Sequence, residues 1–87
     1  MTEEDALDMF AELPQRVRTA IISHMHSLRR RWRVDFTDYD DMLVAQYIAA
    51  SQLLQVDMRG GNGVRFKANE NTAHLYKHLH DLLNLKQ

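Results

Sequence analysis

The chain reads as a mostly helical α+β domain: about four helices, one β-hairpin between the third and fourth, and a short extra strand near 33–36. Three observations carry that reading. Val17, Ile21, Met25, Leu28 and Trp32 recur at the spacing of a single stripe along an α-helix. Val56-Asp57-Met58-Arg59 and Val64-Arg65-Phe66-Lys67 alternate in polarity on either side of Gly60-Gly61-Asn62-Gly63, the pattern of two strands joined by residues that tolerate positive φ. Near the C-terminus, Leu75, Tyr76, Leu79, Leu82 and Leu83 again fall on one helical face.

Taken in order, the first helix is expected from Glu3 to Leu13. Thr2 stands at its N-cap, acids fill the first turn where the helix dipole favours them, and Ala6, Met9, Phe10 and Leu13 share a face. Pro14 ends this helix and can open the next, because its missing N–H is not needed in a first turn. The second helix is expected from Gln15 to about Arg33. Arg33-Val34-Asp35-Phe36 then alternates as a short strand, before Thr37 or Asp38 caps a third helix from about Asp38 to Gln55. Apolar residues occupy most of that helix's circumference, which predicts burial on more than one side. After the hairpin, Asn71 or Thr72 caps a last helix from about Thr72 to Leu85.

Eighty-seven residues suit a single small domain, residues 1–87, with one modest core. At 45% hydrophobic and 26% charged the chain has the material for a packed interior. It contains no cysteine, which excludes disulfides, thiolate metal sites and thiol catalysis and fits a reducing, cytoplasmic setting. The longest strictly apolar run, Met42 to Ala45, falls far short of the roughly 20 residues of a membrane span, and the acidic start is the opposite of a signal-peptide leader.

No catalytic motif is present: GxSxG, GxGxxG and a phosphate loop are all missing, and the glycine-rich segment joins two strands instead of opening a helix. The acids Asp38, Asp40 and Asp41 read as helix-capping residues. His74 and His78 share a helix face with Asp81 three residues on, but no cysteine and no HExxH-like pattern completes a ligand set. The expectation is therefore a non-enzymatic protein with no cofactor and no metal.

Charge distribution is the informative feature. Between Gln15 and Val34 the chain has six arginines and no carboxylate, although its net charge is only −1. Arginine presents a planar fork of donors suited to carboxylate or phosphate. Arg16, Arg29, Arg30 and Arg33 of the second helix, with Arg59, Arg65 and Lys67 of the hairpin, are the candidate partner-binding residues.

The order helix, short strand, helix, basic hairpin, helix over Gln15–Leu85, with Leu53-Leu54-Gln55-Val56, Gly60-Gly61-Asn62-Gly63 and Val64-Arg65-Phe66, resembles the winged-helix family. That resemblance implies a DNA-binding regulator with a recognition helix before the hairpin. Two features depart from it. The nineteen residues between Phe36 and Val56 read as one continuous helix where a helix-turn-helix needs two, and Tyr39 to Gln55 holds no lysine or arginine. The chain is not assigned to the family on this basis. Charge balance favours a protein-interaction or regulatory module using the basic helix and hairpin, a homodimer being one form of it. The alternative is a nucleic-acid-binding, winged-helix-like regulator that contacts phosphates.

Overall fold

A computed structural model describes residues 1–27 and 31–85. Among them it forms α1 (Glu3–Glu12), α2 (Gln15–His26), β1 (Arg31–Asp35), α3 (Tyr39–Ser51), β2 (Leu54–Gly60), β3 (Gly63–Ala68), α4 (Glu70–Lys77) and α5 (Leu79–Leu85). The three strands make one antiparallel sheet in the order β1-β3-β2. The mixed, mostly helical class and the hairpin between the third and fourth helices are as expected.

Local chemistry explains where the elements begin. The Thr2 hydroxyl accepts from the Asp5 N–H at 3.1 Å while the Thr2 N–H donates to the Asp5 carboxylate at 3.3 Å, a reciprocal cap for α1. At the other end of α1 the Arg18 guanidinium donates to the carbonyls of Leu13 and Ala11, at 2.7 and 3.3 Å. One arginine of the acid-free stretch is thus spent on carbonyls that the end of a helix leaves without partners. Asp38 caps α3 by accepting from the Asp41 N–H at 2.9 Å.

Three boundaries differ from expectation. The second helix stops at His26, and Arg31–Asp35 is a strand, because Trp32 and Val34 are paired to Phe66 and Val64 of β3. Sheet pairing outweighs the helical spacing of Trp32. The third helix ends at Ser51, where Gln52 adopts a left-handed conformation (φ 62°) and turns the chain into β2. That corner is held from the next helix: the side-chain amides of Asn69 and Asn71 donate to the Gln52 carbonyl, and the Thr72 hydroxyl donates to that of Leu53. The last helix is two, α4 capped by Asn69 and α5 beginning after a break at His78.

The helices cover one face of the sheet. α3 packs on β1 and β2, α4 on β3, α1 on α4, and α2 on α3 and α5. Phe10, Ile21, Ile22, Met25, Ile48, Leu53, Leu54, Phe66 and Leu75 are fully buried between the layers. Only one side of α3 is buried (Val44, Ala45, Ile48, Ser51), and Tyr39, Met42 and Tyr47 are 71%, 40% and 45% exposed. Burial of α3 on more than one side is corrected accordingly. Among the described residues no helix is long and apolar enough to cross a membrane.

Candidate interaction surface on the open sheet face

Side chains alternate across a strand, and residues directly opposite each other share a face. Trp32, Val34, Val56, Val64 and Phe66 therefore turn towards the helices, and their register partners' neighbours turn away: Arg31 opposite Lys67, Arg33 opposite Arg65, and Lys67 opposite Gln55. The outward face is uncovered. Arg31, Arg33, Lys67 and Gln55 are exposed and Arg65 is half-buried at the centre.

A β-bulge between Val56 and Met58 places Asp57 on this face. Its carboxylate lies 3.4 Å from Arg65 Nε and 3.8 Å from Arg31 Nε. Met58, 52% exposed, accepts a contact from Arg65 Nη2 at 3.3 Å. Arg33 is held along the edge of the face: its Nε donates to Asp35 at 2.6 Å and its Nη2 to the Gly60 carbonyl at 3.3 Å. Gly63 makes room for that arrangement, since a Cβ there would stand 2.8 Å from the Val34 carbonyl and 2.9 Å from the Arg33 guanidinium. Gly61 takes the positive φ (57°) at the first position of the two-residue turn. Lys67 makes no ion pair among the described residues.

The seven expected residues are thereby sorted. Arg33, Arg65 and Lys67 come together on the open face, but Arg33 does so from a strand. Arg16, on α2, points to the first turn of α3, with Asp40 and Asp41 at 4.0 and 3.9 Å. Arg59 lies opposite Val64, on the helix side of the sheet, in a hollow it lines with Phe36, Gln46 and Ala49. Arg29 and Arg30 lie outside the described residues. A basic helix and hairpin sharing one surface is replaced by a basic sheet face. Arg31 was missed because the helical spacing of Leu28 and Trp32 was extended through it, although Arg31-Trp32-Arg33-Val34-Asp35 alternates over all five residues.

Asp41 shows how the acids near α2 are employed. The Thr37 hydroxyl hydrogen-bonds its carboxylate, and this, with the Thr37 N–H, the Arg16 charge and the Asp38 contact, holds Asp41 below the ordinary carboxylate range against a smaller opposing effect of burial. Between α1 and α4, Glu3 is approached by His78 at 3.5 Å, Lys77 at 3.7 Å and His74 at 3.9 Å. Among the described residues no group of three or more histidines and carboxylates is placed to hold a metal ion.

Comparison with protein-family models, curated proteins and solved structures gives no match. The single helix α3 between β1 and β2 leaves no second helix for the helix-turn-helix that the winged-helix resemblance implies.

Proposed function

We propose that the chain is a non-enzymatic binding or regulatory module that docks an acidic surface of a protein partner on its open sheet face. The observation that carries this is the pairing of like charges, Arg31 opposite Lys67 and Arg33 opposite Arg65, on a face with no covering layer. Like charges directly opposite destabilise a sheet. A partner carboxylate placed among them relieves that repulsion and gains forked hydrogen bonds. Met58 supplies an adaptable apolar contact at the centre of the charges.

A protein partner fits better than nucleic acid. The sheet's aromatic residues, Trp32 and Phe66, face the helices, so the open face offers no ring on which a base could stack. Asp57 and Asp35 among the arginines would repel a phosphate backbone, and the chain carries no net positive charge. Residence in the cytoplasm goes with this reading. A second copy of the chain is one such acidic partner: Glu4, Asp8 and Glu12, spaced four apart on α1, are all exposed.

The test is a binding titration with labelled polyglutamate beside a DNA duplex and a single-stranded RNA, at low and physiological salt. Polyglutamate should bind, and Arg31→Glu with Lys67→Glu should abolish binding without loss of helical circular dichroism. Tighter binding of the duplex, with steep salt dependence, would replace this reading with the nucleic-acid one. A mass near twice 10.2 kDa by light scattering that falls to one chain in the same double variant would identify the partner as a second copy.

A further inference from the structure

The free edge of β1 borders a groove with a floor. Two adjoining hollows, of about 580 and 490 Å³, run between α2 and β1 and share Ala20, Trp32 and Arg33. Trp32 lies at the bottom, stacked on the buried His24 of α2 with ring centroids 4.9 Å apart and planes 12° apart. The groove is therefore floored by Trp32 and Ala20 where the hollows join, and open along a strand.

The strand's parity is fixed by one bond. The Phe36 N–H donates to the Asn62 carbonyl at 2.6 Å, in step with the register that pairs Val34 with Val64 and Trp32 with Phe66. In an antiparallel ladder the hydrogen-bonded pairs alternate, so 36, 34 and 32 direct their main-chain groups to β3, while Arg31, Arg33 and Asp35 direct theirs to the free edge. The Asp35 carbonyl there accepts from the Thr37 N–H at 3.1 Å. The Arg33 N–H and carbonyl and the Asp35 N–H are left for an incoming strand.

The two edges of the sheet are treated differently. β2 has the bulge at Asp57, one of the devices that spoil an edge for further pairing, whereas β1 keeps five uninterrupted pairs with no bulge and no proline. We propose that β1 and α2 receive an extended segment of a partner protein by strand addition, with acidic and apolar residues alternating along it. Residues opposite Arg31 and Arg33 share their face and meet guanidinium groups; the intervening residues fall on Trp32 and Ala20. Among the described residues the lining at the end of the groove by Ser27 includes Arg31 and Arg33 and no carboxylate, their ion-pair partners Asp57 and Asp35 standing outside that end, while the other end adds Asp35 and Asp41 to Arg16. Acidic side chains therefore belong at the Arg31 end, and a basic one opposite Asp35. An antiparallel segment then reads Lys-Val-Glu-Val-Glu. This inference rests on the proposed binding role and specifies one mode of it.

The test uses the whole chain, labelled with ¹⁵N, and a blocked nine-residue peptide with Lys-Val-Glu-Val-Glu at its centre. Expected are shifts and slowed exchange of the Arg33 and Asp35 amides, and binding at least about tenfold weaker for the charge-swapped Glu-Val-Lys-Val-Lys peptide. N-methylation of the central Glu, which would face the Arg33 main chain, should weaken binding about tenfold as well, while N-methylation of the adjacent Val should not. Equal effects of the two methylations, or no binding at millimolar peptide, would overturn strand addition. Shifts confined to Gln55, Met58 and Lys67 would also overturn it, yet would leave the open-face reading standing. Polyglutamate binding that is absent, or that survives Arg31→Glu with Lys67→Glu, beside an intact peptide response of the Arg33 and Asp35 amides in the unaltered chain, would do the reverse.

Discussion

The two faces of one three-stranded sheet are built from neighbouring residues and have opposite fates. On the helix side Trp32, Val34, Val64 and Phe66 close the core; one residue along, Arg31, Arg33 and Lys67 stand in the open around a half-buried Arg65. A period of two is enough to separate them. The covered face is fixed by burial and tolerates little change, whereas the open face sets like charges opposite each other and offsets them only in part, through Asp57 and Asp35. Stability and binding are thus assigned to opposite sides of the same strands.

The sharpest way to break that division is through the covered side. Phe66→Ala removes a fully buried ring against Trp32 (ring centroids 6.1 Å) and should cost about 3–5 kcal/mol in a urea unfolding curve. A small domain has only about 5–15 kcal/mol to lose, so partial unfolding is expected. A cost of less than about 1 kcal/mol would show that the sheet is not seated on the helices as described.

On the open side the expected sign reverses. Lys67→Glu converts a like-charge pair with Arg31 into an opposite-charge one and should stabilise the fold by about 0.2–1 kcal/mol, while weakening polyglutamate binding. Loss of stability in that variant would mean that Lys67 has a structural role, and the division between the faces would fail.

The smallest effect lies where α2 meets α3. Asp41 has a depressed pKa in the folded chain, so the stability it contributes is present above the ordinary carboxylate value and is lost as pH falls through the folded one. Thr37→Val removes the leading cause. The Asp41 carboxyl, followed by NMR, should then titrate closer to its ordinary value, and wild type and variant should differ at neutral pH but converge in acid. An unchanged titration would show that Arg16 and the backbone donors hold Asp41 without the hydroxyl.

Much of this was legible beforehand, for identifiable reasons. The hairpin announced itself because Gly61 meets a local demand, a positive φ in the turn, while Gly63 also admits the close approach of β1. Thr2 and Asp38 marked helix starts through side-chain caps and Pro14 through its fixed φ, all of which involve only near neighbours. Arg31 was lost because Trp32 satisfies a helical and a strand pattern equally, and only its partner Phe66, more than thirty positions away, decides between them. Arg16 looked available for a partner, yet it leans on the acids of α3, and Arg18 of the same acid-free stretch caps α1.

The sequence alone determined the helical and hairpin content, the main caps and the concentration of cationic side chains, since each depends on residues within a turn or two of one another. Tertiary structure decided which cations stand together, which are spent internally, and which edge of the sheet stays open. Those outcomes depend on β1 pairing with β3 across an intervening helix and hairpin arm, and no local pattern encodes the partner of a strand.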